Sequence, residues 1–357
     1  MMYKKLNKYF SLLVSGIIAT LLFSCMEKIV EPVDVKYNSS ADIIAYLETH
    51  GDYINSENNP SIISVDDAFN NSQNYLFMDI RIPSQFNDGH IENSRNFVID
   101  ELIDSLEFNS VDLNAGIIIV SESGLKAAYA TALLRMYGYT NVFSLNFGMA
   151  QWNEKFADVW VNARGDSEWW FVYEGGYYPK PKKGNSIPSV VGDNTATSVE
   201  DFVKNRIKKF LSENEYQNAI ATISEMDAKY SIRYSLYLDS FVFCYDDKEL
   251  YELIRYFKDV APPVTWGGHP RSSALYDAKI DFKASTNLLT LPVNKTIYSY
   301  SVNGQKSLYI TTYLRLLGYN AKTIEYGAVS MIYYKLLLNQ FEESFRESEI
   351  RNYPIVN

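Results

Sequence analysis

One order of signals occurs twice in this chain, and that internal repeat limits the possible folds more than any other feature. The first copy begins Gly89-His90-Ile91, reaches an apolar run at Ile117–Val120, and continues Ser121-Glu122-Ser123-Gly124-Leu125-Lys126. It goes on through Leu133-Leu134-Arg135-Met136-Tyr137-Gly138-Tyr139 to Phe147-Gly148. The second copy runs Gly268-His269, then Thr296–Tyr300, then Ser301-Val302-Asn303-Gly304-Gln305-Lys306. It closes with Tyr313-Leu314-Arg315-Leu316-Leu317-Gly318-Tyr319 and Tyr326-Gly327. Gly124 and Gly138 stand 14 residues apart, as do Gly304 and Gly318.

Each copy reads as strand, loop, helix, strand. Ile117-Ile118-Ile119-Val120 is the short β-branched run expected of a parallel strand covered on both faces. Ala127, Ala128, Ala130, Leu133 and Leu134 suit a helix that stops near Gly138. Val142–Leu145 is the next strand and 76–80 an earlier one, while Ser40 is expected to cap a helix ending near His50 and Gly51. Thr197 with Glu200 reads as a capping box opening another helix, with Val199, Phe202, Val203, Ile207, Phe210 and Leu211 as its apolar positions. Strands alternating with helices imply parallel α/β sheets. Residues 161–194, with Gly175-Gly176, Pro179, Pro181 and Pro188, read as an irregular connection, although Trp169, Trp170, Tyr177 and Tyr178 suggest that it packs on something.

A length of 357 residues suits two domains, and 47% apolar residues suit globular ones. The net charge of −10, without a basic block, excludes nucleic acid as a partner class. Three histidines, His50, His90 and His269, argue against a histidine-based metal site or triad, and no cofactor is implied. Of two cysteines, Cys25 and Cys244, the first lies in a targeting segment, which argues against an intrachain disulfide.

Lys4, Lys5 and Lys8 precede an uncharged stretch at 10–23, the length of a signal h-region and short of the roughly 20 residues that span a bilayer. It ends Leu22-Phe23-Ser24-Cys25, which resembles the lipobox of bacterial lipoproteins, with Phe23 bulkier than usual. That resemblance implies cleavage before Cys25, acylation there, and a membrane-attached protein of the cell envelope, at the outer membrane. The expected organisation is a signal peptide (1–24), a lipid-anchored tether (25–39), a first domain (40–160), a linker (161–196) and a degenerate second domain (197–350).

Asp79-Ile80-Arg81, Gln85-Phe86-Asn87-Asp88-Gly89-His90-Ile91, the 121–126 loop, and Leu145 to Trp152 with Gly148 together resemble the rhodanese family. The first, second and last match its Asp-x-Arg, Gly-His-Ile and closing Leu-x-x-Gly-x-x-x-Trp signatures, and the 121–126 loop lies where the family has Cys-x-x-Gly-x-Arg. In the second copy Cys244 and Asp246 occupy the two Asp-x-Arg places, and His269 and the 301–306 loop hold better. The whole resembles a tandem rhodanese lipoprotein, which implies two domains, each a parallel sheet flanked by helices.

In that family the loop turns its backbone N–H groups on one centre, where a cysteine thiolate takes a sulfane sulfur. Here Ser121 and Ser301 stand in that place. A hydroxyl forms no persulfide and scarcely ionises at neutral pH. Lys126 and Lys306 replace an arginine and lose its bidentate fork, and Glu122 opposes an incoming oxyanion. Gly124 and Gly304 keep the turn. Asp79, Arg81, His90 and His269 read as scaffold rather than ligands, and Cys244 as a buried strand residue. The expectation is a non-catalytic binding or scaffold module with an envelope protein as partner. Two alternatives stand beside it: a sulfurtransferase using Cys244 or an unrecognised residue, and a small-anion receptor using both loops.

Overall fold

The computed structural model describes residues 37–357 apart from 52, 55, 167–172, 175–176, 185, 213–214, 232–238, 253–267 and 342. Cys25, its preceding segment, Trp169 and Trp170 therefore lie outside the described residues. Two five-stranded parallel sheets form the frame. The first contains β1 (Ile62–Ile63), β2 (Leu76–Asp79), β3 (Arg95–Asn96), β4 (Ile117–Val120) and β5 (Val142–Leu145), laid out β1-β5-β4-β2-β3. The second contains β6 (Ile220–Ala221), β7 (Ser240–Cys244), β8 (Ala274–Leu275), β9 (Thr296–Tyr300) and β10 (Ala321–Ile324), laid out β6-β10-β9-β7-β8. The order is the same in both, so the α/β architecture expected from the repeat is the one observed.

Five helices matter for the site: α1 (Ser40–Thr49), α2 (Leu125–Tyr137), α3 (Val199–Ser212), α4 (Gln305–Leu316) and α5 (Gly327–Leu338). Helices α2 and α4 follow the equivalent loops and pack on each other, and α1 packs on α3. All of α2 except Lys126 is buried, because a neighbour covers each of its faces. Ile43, Leu133, Ile207 and Leu308 belong to one continuous apolar core, which unites the two units. In the second unit part of the core is polar: Ser299 lies within 2.7 Å of the Thr311 hydroxyl and 3.1 Å of the Thr323 hydroxyl, a buried and satisfied network.

Two expected caps move by one residue. Ser39, not Ser40, caps α1 by accepting from the Ala41 N–H at 3.0 Å, while the Ser40 hydroxyl donates to the Pro188 and Leu317 carbonyls. At α3 the Ser198 hydroxyl accepts from the Asp201 N–H at 3.0 Å, and Thr197 donates to the Asp201 carboxylate. Glu200 instead pairs with Lys204 one turn on. The connection is also less irregular than expected, since Ser189–Asp193 pairs antiparallel with Tyr37–Ser39.

The units exchange their outgoing chains. Past the first unit, Gly165 inserts into α5: its N–H donates to the Val329 carbonyl, its carbonyl accepts from the Tyr333 N–H, and the helix breaks at Ile332. Tyr173–Glu174 then pairs with His269–Pro270. Past the second unit, Arg351 and Tyr353 donate N–H groups to the Gln151 and Trp152 carbonyls, and Val356 bridges to His90. Residues 351–357, beyond the expected end of the second domain, thus lie on the first.

Candidate functional site

The two loops sit at the C-terminal ends of β4 and β9. Gly124 (φ +84°) and Gly304 (φ +81°) open α2 and α4 in the left-handed region, which glycine enters without a Cβ clash. Gly148 and Gly327 stand behind the loops. A Cβ there would fall 2.2 Å from the Ser121 carbonyl oxygen and 2.1 Å from that of Ser301. The space is filled by the loop itself: Met149 and Ala328 donate N–H groups to those two carbonyls at 3.0 and 2.9 Å.

Both loop hydroxyls are turned inward. Ser121 is 4% exposed, and its Oγ accepts from the Gly124 and Ala127 N–H groups at 3.1 and 3.2 Å. Ser301 is fully buried, and its Oγ accepts from the Gly304 and Ser307 N–H groups at the same two distances. Each serine oxygen therefore occupies backbone donors that would otherwise face a bound anion.

The charge around the loops differs between the units. Register pairs Asp79 with Val120 and Cys244 with Tyr300, so Asp79 and Cys244 are equivalent, as are Arg81 and Asp246 two residues on. In the first unit the Arg81 guanidinium grips Asp79 with both its Nε and Nη2, donates to the Gly89 carbonyl at 2.8 Å, and lies over the Phe156 ring. In the second, Asp246 holds Lys306 at 2.8 Å and accepts from the Val302 N–H, and Glu343 takes Lys306 from the other side. Burial acts to lower the Lys306 ammonium, but these two carboxylates carry it above the ordinary lysine range. Burial, then repulsion from Asp246, raises the Glu343 carboxyl. Lys126 is half-buried and makes no ion pair among the described residues. Glu122 is exposed and lines a cavity of about 230 Å³ with Arg81, Gln85, Asp88, Met149 and Phe156.

The histidines share one arrangement. His90 stacks on Phe86 at 3.8 Å with its Nδ1 3.1 Å from the Phe86 carbonyl. His269 stacks on Tyr251 at 3.8 Å with its Nδ1 2.6 Å from the Tyr251 carbonyl. Cys244 is fully buried in its strand; burial first, and Asp246 next, push its thiol well above the usual range. A thiol in that environment is a poor nucleophile.

The model of the rhodanese-like domain matches residues 64–155. The chain carries a rhodanese-like domain. Among solved structures, a rhodanese-related protein from Thermoplasma volcanium is 25% identical, over 27% of this chain and 92% of that one, with a TM-score of 0.24. A rhodanese-like domain from Anabaena sp is 29% identical over 22% of this chain and 88% of its own, with a TM-score of 0.21. A thiosulfate sulfurtransferase from Pseudomonas aeruginosa is 10% identical over 89% of this chain and 49% of its own, with a TM-score of 0.27. In the rhodanese-like domain Asp79 and Arg81 stand beside the loop of Ser121, Gly124 and Lys126, with Arg81 lining the same cavity as Glu122, whereas His90 contacts Phe86 and Val356. In the second unit Asp246 ties down Val302 and Lys306 of the loop that holds Ser301 and Gly304, whereas His269 contacts Tyr251.

Gln305 was not legible as a site residue. Fully buried, it reaches out of the second unit into the first loop. Its Oε1 accepts from the Phe147 N–H at 2.8 Å, and its Nε2 donates to the Gly124 and Leu145 carbonyls at 3.3 Å. The one signal is that a polar residue stands where the first copy has Leu125. Leu125 in turn lies against Gly304, so the two loops meet back to back.

Proposed function

We propose that this protein is a non-catalytic, lipid-tethered binding or scaffold module of the bacterial cell envelope, anchored through Cys25, whose rhodanese-like frame no longer transfers sulfur. The observation that carries the reading is the pair of inward serine hydroxyls. Each satisfies the backbone donors of its own loop, so neither offers a nucleophile nor leaves the full nest to an anion. Glu122 at the first loop and the doubly held Lys306 at the second add to it. The sulfurtransferase alternative has only Cys244, buried and with a raised thiol. The anion-receptor alternative needs donors that Ser121 and Ser301 already occupy.

The test is mass spectrometry after thiosulfate treatment. The native chain is expected to carry no persulfide, and Ser121→Cys to carry one but turn over slowly. Adding Glu122→Gln and Lys126→Arg should raise its rate, most at low ionic strength where repulsion is least screened. Thiosulfate turnover by the native protein that disappears in Cys244→Ser would overturn the proposal.

A further inference from the structure

The second loop faces a cleft between the units that the sulfur chemistry does not explain. It has a volume of about 380 Å³ and is lined by Glu57, Asn59, Ser61, Phe143 and Asn146 from the first unit and by Asn303, Lys306 and Glu343 from the second. That volume falls in the range of about 300–1,000 Å³ typical of small-molecule sites, which favour such junctions. Its walls are built rather than merely exposed: Asn59, Ser61 and Asn303 are 4%, 1% and 5% accessible.

Three features define what the cleft can take. First, the amide of Asn59 has neither donor nor acceptor satisfied among the described residues. A buried amide left so is destabilising unless something else completes it. Its polar atoms are closed off from solvent, so engaging a ligand requires the side chain to turn toward the cleft. Second, the Asn303 amide donates to Asn146 Oδ1 at 3.2 Å across the junction, which leaves the Asn146 NH2 unengaged among the described residues. Third, the fixed charge is negative. Glu57 and Glu343 line the cleft, and the single ammonium, Lys306, is already shared between Glu343 and Asp246. An oxyanion would have to displace one of those carboxylates. The Oδ1 atoms of Asn146 and Asn303 already accept, from the Asn303 amide and the Gln305 N–H, so these amides offer N–H donors. With the Glu57 and Glu343 carboxylates as acceptors and the half-buried Phe143 ring, the cleft suits a ligand whose hydroxyls both donate and accept and whose C–H face is apolar.

We propose that this cleft between the two units binds a neutral sugar, a hexose or N-acetylhexosamine, through Asn59, Asn146, Asn303 and Glu343. The inference deepens the reading of the chain as a binding module and rests on it. Glucose, galactose and N-acetylglucosamine are titrated into the full chain by calorimetry and thermal shift, with sodium thiosulfate and sodium sulfate at matched ionic strength. At least one sugar is expected to bind saturably and raise the melting temperature, and neither anion to do so. Asn303→Ala and Asn59→Leu should each weaken the sugar at least tenfold. Asn59→Leu should also raise the melting temperature of the unliganded protein, because it removes the unpaired amide, which separates lost binding from lost folding. Absence of any sugar response, or a response that survives both substitutions, overturns the sugar site. With no persulfide on the native chain, that failure would leave the non-catalytic reading standing. Binding of thiosulfate in place of sugar overturns it too, and would favour the anion receptor.

Discussion

Replacing Gln305 by leucine tests whether the second unit holds the first loop in place. Leucine is close to glutamine in size, and the equivalent position is already Leu125, so the cavity contribution is small. What is lost is polar. The Phe147 N–H, on a residue 2% exposed, loses its only acceptor among the described bonds. A buried donor so stranded costs about 1–3 kcal/mol. The two longer bonds, at 3.3 Å to the Gly124 and Leu145 carbonyls, contribute about 0.5 kcal/mol each. The expected loss is about 2–4 kcal/mol, or roughly 3–5 °C in melting temperature for a chain of this size. Calorimetry and guanidinium denaturation measure the loss. Hydrogen exchange locates it, since the peptide around Phe147 should lose protection although the substitution lies 158 positions along the chain. A change below about 0.5 kcal/mol, the level of an ordinary surface substitution, with Phe147 exchange unaltered, would refute the coupling.

Asp79→Asn leaves the Arg81 guanidinium, with 1% of its side chain exposed, without its counter-charge; a loss of about 3–5 kcal/mol is expected in denaturant, and Asp79→Asn with Arg81→Met should recover most of it. Burial brings the Lys335 ammonium down to about 8, with Asp166 acting against the shift. The unfolded chain therefore holds a proton that the folded chain has released between about pH 8 and the usual lysine value, so the Lys335 contribution to stability rises with pH across that window; in denaturant titrations the native protein should gain stability relative to Lys335→Met between those pH values. For the proposed anchor, Cys25→Ser is expected to abolish acyl labelling and leave unprocessed precursor; labelling that persists would remove the anchor from the proposal.

The repeat, the sheet class and the loop positions were legible in the sequence because they rest on local chemistry. Gly124 and Gly304 announce a left-handed turn, Ile117–Val120 a strand covered on both faces, and the Asp-x-Arg pair a scaffold contact only two residues long. The helix caps were legible only to within one residue. Ser39 and Ser40, like Thr197 and Ser198, are adjacent hydroxyl residues, and which of them caps depends on where each neighbour is drawn. Ser40 is taken by the carbonyls of Pro188 and Leu317, which no local rule could supply.

That the two loops carry Ser121 and Ser301 and no cysteine was determined by the sequence alone, since no folding supplies a thiol. The inward turn of each serine oxygen is local as well, since its donors stand three and six positions on. The tertiary structure added the second segment behind each loop, where Gly148 and Gly327 allow the close approach and Met149 and Ala328 donate to the Ser121 and Ser301 carbonyls. The fate of the loop cations was decided there as well. Lys126 and Lys306 are equivalent in the repeat, yet only Lys306 meets an aspartate and a glutamate, brought from 60 and 37 positions away. The exchanged straps and the reach of Gln305 into the first loop have the same origin. Periodicity and motif spacing describe what a residue does with its near neighbours, whereas the sharing of one core by two units brings together groups whose separation along the chain carries no signal.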